Sequence, residues 1–434
     1  RVSHQQRRRR QHGRRKHHGG GHHRPGPTAA AYFVDSGDAP VACVVQAQLF
    51  FNSWRHRPPL YSLGQQQVHG VAASRLPALI DGEAVLGKPP RQQRRGLVLG
   101  GQLTGTGAVA IAGGPTYFTN AYGAASNYTG QTTVLSGVAS AQQANSFGAS
   151  SAVVVAGTGA AVQLQSAAAF SLARPLVLNG TGVGGRGAVE NVAGNNTLTG
   201  NVTVNSGAAL GVTTGILAFN TGAMSGPGDL TKTGAGVYAV NANSPTWTGQ
   251  LNINQGVVRL DGGQYAMGSI AGGTVVAAGA SLQLNTSGGV WQADTITLNG
   301  TGVAGTTQLG ALVALQNGTV QGSIVVNAGA AIGAQPGTSL TLPGGVGGAG
   351  DLLKVGGGTL NLTGTNTYAG ATTVAGGTVS VTAAGSVTAT TAFNLFAADR
   401  ATGDTPPREP ISPGAPRTRA VCASLDSDAH HAAT

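Results

Sequence analysis

Residues 348–381 read GAGDLLKVGGGTLNLTGTNTYAGATTVAGGTVSV. Apolar residues stand at alternate positions in Leu360-x-Leu362 and Val379-x-Val381, and glycine or asparagine punctuates the stretch every few residues. Alternation with period two is the mark of a strand with one buried face. The same short pattern recurs upstream as Val202-x-Val204, Leu251-x-Ile253, Leu282-x-Leu284 and Leu340-x-Leu342. No segment places apolar residues at i, i+3, i+4 and i+7 over a helical length, so helix is expected to be essentially absent.

Self-comparison extends the pattern. LVLNGTGV at 176–183 returns as ITLNGTGV at 296–303, and NVTVNSGAALG at 201–211 as SIVVNAGAAIG at 323–333. GPGDLTKTGAG at 226–236 returns as GAGDLLKVGGG at 348–358. An earlier copy shows at YTGQTTV (128–134), beside WTGQLNI (247–253) and YAGATTV (368–374). A unit of about 120 residues thus occurs nearly two and a half times, the signature of a repeat architecture. Residues 96–398 hold 14 aromatics and fill their apolar positions with Val, Leu, Ile and Ala. A sandwich core normally needs larger side chains, so the reading is an all-β parallel β-helix, or β-solenoid, whose coils stack along one axis. At ~20 residues per coil it would make roughly 15 coils and run about 70 Å.

Charge divides the 434 residues into three regions. Residues 1–95 hold 16 Lys+Arg and 4 Asp+Glu. Residues 96–398 hold five of each, and 399–434 four basic and five acidic. All ten histidines and both cysteines (Cys43, Cys422) lie outside the neutral body. The expected domains are a basic, low-complexity, disordered flank over 1–95, a β-solenoid of ~120-residue super-repeats over 96–392, and a disordered Pro/Ala-rich tail over 393–434. Clustered arginines in the first flank could bind a polyanion. No aromatic before Tyr32 interleaves them to stack on bases, which disfavours nucleic acid. Such Arg/His/Gln/Pro-rich text is also what translation in another frame produces. Residue 1 is Arg, no signal peptide opens the chain, and the chain reads as a fragment. Collagen, a disulfide scaffold, a long coiled coil and a membrane-spanning helix are all excluded by composition.

The stretch 348–381 closely resembles the autotransporter-associated β-strand repeat of bacterial autotransporter passengers. The matching positions include Gly350, Leu352, Lys354, Gly356, Gly358, Leu360, Leu362, Gly364, Asn366, Tyr368, Gly370, Thr372, Val374 and Gly377. Thr378 and Val379 stand where the family pattern ends on a looser register. The copy at 226–262 keeps Leu230, Lys232, Gly234 and Gly236 but has Tyr238, Val240 and Trp247 for Leu, Leu and Tyr. The resemblance spans roughly 100–392. It implies a right-handed β-helical passenger, carried across the outer membrane by a C-terminal barrel and displayed or released. No run of ~10-residue alternating strands with aromatic girdles follows residue 392.

Chemistry finds little material. Without His or Cys in the body, histidine catalysis and His/Cys metal sites have no residues to use. The five carboxylates are Glu190, Asp229, Asp261, Asp294 and Asp351. Asp229 and Asp351 occupy equivalent Gly-Asp-Leu positions and are read as corner hydrogen-bond acceptors. A glycosidase would need two acids about 5–10 Å apart, which neighbouring coils could supply. Gly182-Val-Gly184-Gly-Arg-Gly187 and Gly345-Val-Gly347-Gly-Ala-Gly350 fit the dinucleotide fingerprint without the helix it requires. Gly82 to Lys88 spells a phosphate-loop pattern that Pro89 breaks. The sequons at Asn127, Asn179, Asn195, Asn201, Asn285, Asn299, Asn317 and Asn361 read as Asn/Thr-rich composition. Tyr128, Trp247 and Tyr368 share one position of the unit and read as corner packing. The expectation is therefore no catalytic, cofactor or metal residue. The chain is expected to be a structural or adhesive stalk, extracellular or on the bacterial surface, meeting host surfaces, glycans or its own kind along the solenoid. A polysaccharide-active β-helix enzyme and polyanion binding through residues 1–95 are the alternatives.

Overall fold

The computed structural model describes residues 97–119, 125–291, 295–305 and 310–381, with short strands at Leu49–Phe50, Tyr61–Leu63, Gln66–Val68, Ala78–Ile80, Ala84–Gly87 and Phe393–Leu395. The remainder of both flanks, and with it their expected disorder, lies outside the described residues. The chain is all-β, a parallel β-solenoid of about 12 turns. The one helical feature among the described residues is a three-residue 3-10 turn at Val183–Gly185.

Each turn lays short strands on three faces. One face stacks Val109–Ala112, Thr132–Val134, Val153–Val155, Leu176–Gly180 and the start of Val202–Val212, all parallel. It continues through Met224–Gly226 to Thr246–Trp247. The second runs from the end of Val202–Val212 through Leu230–Thr233, Leu251–Ile253, Thr274–Val276, Ile296–Asn299 and Ile324–Ala328 to Val346–Gly347. The third contains Ile216–Phe219, Val237–Val240, Gly256–Leu260, Ala280–Leu284, Leu312–Ala314, Ala330–Ala334, Leu352–Val355 and Thr372–Val374. Phe393–Leu395 adds to this face, and Ala84–Gly87 pairs beneath Val109–Ala112.

Period-two patterning produces the core. In Val153–Val155 and Leu251–Ile253 the outer two residues are buried and the middle one faces outward. Most inward residues land above another apolar residue one turn below, and one continuous cluster from Leu99 to Tyr368 results. Apolar burial of this kind contributes about 25 cal/mol per Å², and the ladders satisfy the backbone.

The coils are longer and fewer than the roughly 15 expected. Thr359 pairs with Thr378 but Leu282 with Leu312, so a turn takes between 19 and 30 residues. Two glycine-rich excursions account for the longest turns. They leave and rejoin the stack at the bridges Gly182↔Gly187 and Gly302↔Gly310. At the 4.8 Å strand spacing, about 12 turns rise roughly 55–60 Å.

The super-repeat does not close on itself. From Thr132–Val134 the ladder climbs five steps, through Val153, Leu176, Val202 and Met224, to Thr246–Trp247. The next strand, on the next face, is Leu251–Ile253, the sequence equivalent of Thr132–Val134. From Leu251 the ladder again climbs by way of Thr274, Ile296, Ile324 and Val346, above which Thr367 N donates to Val346 O at 2.7 Å, before Thr372–Val374 appears on the third face. One super-repeat is five turns plus one face, so successive copies present the same residues on successive faces.

Candidate functional site

The described carboxylates are each committed to a local role. Asp229 Oδ1 accepts from Gln250 N at 2.8 Å, and Asp351 Oδ1 from Ala371 N at 2.7 Å, each reaching the coil above. These are the corner bonds expected of the Gly-Asp-Leu positions. Glu190 is buried; its Oε2 accepts from Gln163 Nε2 at 2.7 Å and its Oε1 from Thr213 Oγ1 at 2.9 Å. Arg186 Nε stands 3.4 Å from Oε1. Asp261 takes a two-pronged contact from Arg259 Nε and Nη2, both 2.7 Å, and a third bond from Asn285 Nδ2 at 2.7 Å. That contact raises the Arg259 pKa. Asp294 lies outside the described residues. Asp229 and Asp351 sit at equivalent corners more than five turns apart, on different faces. Among the described residues, no three of His, Cys, Asp and Glu gather where they could hold a metal ion.

Five asparagines of the sequons serve the corners as well. Asn179 Nδ2 donates to Val155 O at 2.9 Å and Asn299 Nδ2 to Val276 O at 3.0 Å, the same bond one super-repeat apart. Asn195, Asn201 and Asn317 each accept, through Oδ1, a backbone N–H from the following coil. The aromatic position is buried in all three copies. Tyr128 and Tyr368 hydroxyls lie 2.6 Å from Thr132 and Thr372 Oγ1, and Trp247 Nε1 donates to Gly228 O at 2.8 Å. The dinucleotide-like run 182–187 belongs to a corner excursion. Its three-residue 3-10 turn offers no helix N-terminus for a phosphate.

The unforeseen residues are Lys232 and Lys354, fully buried on the inward side of equivalent strands. Lys232 Nζ donates to Thr233 O (2.9 Å), Gly234 O (2.7 Å) and Gln255 O (3.1 Å). Lys354 Nζ donates to Val355 O (2.9 Å), Gly356 O (2.8 Å) and Gly376 O (3.1 Å). Neither forms an ion pair; the ion pairs of the described residues are Arg186–Glu190 and Arg259–Asp261. Burial without a counter-charge pushes Lys232 down to about 7 and Lys354 down to about 8. The glycine two residues on makes the cage. Gly234 and Gly356 hold φ of 79° and 77°, which swings their carbonyls toward the amine. A Cβ there would collide with the carbonyl of Val212 or Ala334 on the coil below. The Lys-x-Gly spacing is the available signal; the sequence alone places it in the repeat pattern without revealing that the amine is buried.

These corners define a class: a repeat-bearing β-solenoid whose recurring residues tie coil to coil. The family model for the passenger-associated-transport-repeat matches residues 230–260 and 352–381, the two coil pairs built around Lys232 and Lys354. With the solenoid, these matches support an autotransporter passenger with repeats. Comparison with curated proteins and with solved structures gives no match. No helix of the described residues is long and apolar enough to cross a membrane.

Proposed function

We propose that the chain is a stalk segment of a secreted or surface-displayed passenger, with an adhesive or spacing role and no catalytic activity. The observation that carries this reading is the coincidence of the two repeat matches with a solenoid whose side-chain polar groups are spent on joining coils. Its outward residues form shallow ladders of Thr, Ser and Asn, such as Thr319, Thr341, Asn361 and Ser380. Such a surface suits contact with host surfaces, glycans or a second stalk over many turns, each contact weak and the sum multivalent. The polysaccharide-active alternative would need two free acids in one groove, whereas Glu190 and Asp261 have saturated carboxylates and Asp229 and Asp351 hold corners. Polyanion binding through residues 1–95 rests on charge alone.

The test is display. The chain, placed between a signal peptide and a heterologous translocator barrel, is expected on the surface of intact bacteria, accessible to antibody and to added protease. Those bacteria are expected to bind host cells or a glycan array above barrel-only controls. Retention inside the cell would contradict the display reading. Release of reducing ends from a polysaccharide panel by the purified chain would contradict the non-catalytic one.

A further inference from the structure

Neither display nor adhesion calls for a buried, unpaired amine, yet the chain places one in each matched repeat. Each lysine bonds two carbonyls of its own corner and one of the coil above. Other bonds cross the same pair of coils. Gly234 N donates to Gln255 Oε1 at 2.9 Å, Trp247 Nε1 to Gly228 O, and Gln250 N to Asp229 Oδ1. In the second copy Ala371 N donates to Asp351 Oδ1. The earliest copy differs: Ile111 stands at the lysine position of Val109–Ala112, fully buried, and brings no donor to its corner.

We propose that Lys232 and Lys354 are inter-coil latches: each Nζ fastens the corner of one coil to the corner of the next, so that residues 230–260 and 352–381 open as two-coil units. The physical reason is the penalty for a half-open corner. If the upper coil lifts alone, the amine loses one acceptor while still buried against the other two, and the freed carbonyl of Gln255 or Gly376 has no donor. Opening both coils together lets water reach all four groups. The pair built on Val109–Ala112 and Thr132–Val134, with Ile111 in place of the latch, opens one coil at a time. This inference concerns the opening of the solenoid and stands whether or not the chain is adhesive.

Hydrogen exchange of the full chain, read by mass spectrometry, tests it. In the wild-type chain the ladder amides of 230–234 and 251–256 are expected to exchange at one common rate. Lys232→Met is expected to raise the rate in both segments together, by roughly ten- to hundred-fold, and to leave 352–381 unchanged. Lys354→Met is expected to do the reverse. Acceleration confined to 230–234, or no acceleration in either segment, overturns the latch. Should the Met variants lose the fold altogether, the wild-type chain decides through acylation of its lysines by an amine-reactive acetate ester. Acylation of Lys232 no faster than exchange at 251–256 supports the latch. Acylation that outruns that exchange shows the amine leaving its cage while the upper coil stays closed, and overturns it.

Discussion

At the scale of single residues, the buried amines and phenols set the response to pH. Lys232 and Lys354, held down to about 7 and about 8 by burial, return to their ordinary 10.5 when the chain unfolds. Between about pH 7 and 10.5 the unfolded chain therefore binds more protons than the folded one, and stability rises with pH through that window. Burial pushes the Tyr128, Tyr238 and Tyr368 hydroxyls upward from 10.0. Above about pH 10 the unfolded tyrosines release protons that the folded ones keep, and stability falls. Urea midpoints of the full chain are expected to climb from pH 7 toward pH 10 and then drop. The Lys232→Met/Lys354→Met double variant should flatten the climb and keep the drop; an unaltered climb in that variant contradicts the assignment. A second contrast separates cage from turn. Gly234 and Gly337 both have positive φ, but a Cβ at Gly337 meets nothing within 4 Å. Gly337→Ala should lose about 1 kcal/mol from backbone strain alone. Gly234→Ala should lose clearly more, because the Val212 carbonyl must move as well. Equal thermal shifts for the two variants would count against the cage geometry.

At the scale of strands, the alternation that begins at Leu360-x-Leu362 was legible because each strand buries one face. Inward and outward sides of the same strand should differ sharply. In Ile296–Asn299, Leu298 is fully buried while Thr297 points outward. Leu298→Ala should destabilise by about 2–5 kcal/mol, and Thr297→Ala should stay within about 0.5 kcal/mol; chemical denaturation of the two variants checks both. The corner roles of Asp229 and Asp351 were legible for the same local reason, since Asp before a strand has few other partners. The lysines were not. Charge is ordinarily a surface property, and their burial depends on carbonyls converging from two coils, which no single stretch reveals. Coil length is not legible in the alternation, because the excursions bounded by the bridges Gly182↔Gly187 and Gly302↔Gly310 leave the strands on either side unchanged. Period-two counting does not register residues that loop out of the stack.

At the scale of the whole molecule, the fold is quasi-one-dimensional and each coil depends on its neighbours. Five turns plus one face per super-repeat means that a complete unit can be removed without breaking register. Deleting residues 156–276 joins Val155 to Ala277 and brings Ala280–Leu284 into the place of Ala160–Gln165, whose inward residues it matches in type. The shortened chain should remain folded, with a β-rich circular dichroism spectrum and a cooperative melt, whereas a deletion shorter by ten residues should not. The rotation itself was hidden in the sequence, where shifts near 120 residues look like whole turns; only the ladder shows which face each copy occupies. The central claim is that chain segments distant in sequence lie a few rungs apart on one face. Thr231 and Val325 face outward on the same face, joined by four ladder steps through Asn252, Val275 and Thr297. The direct test is the distance between spin labels on Thr231→Cys and Val325→Cys, with Cys43 and Cys422 replaced by serine. Stacked coils predict a narrow distribution centred about 19 Å apart at the backbone; a broad distribution extending to roughly 50 Å, the span of an unstructured chain of that length, would contradict the solenoid.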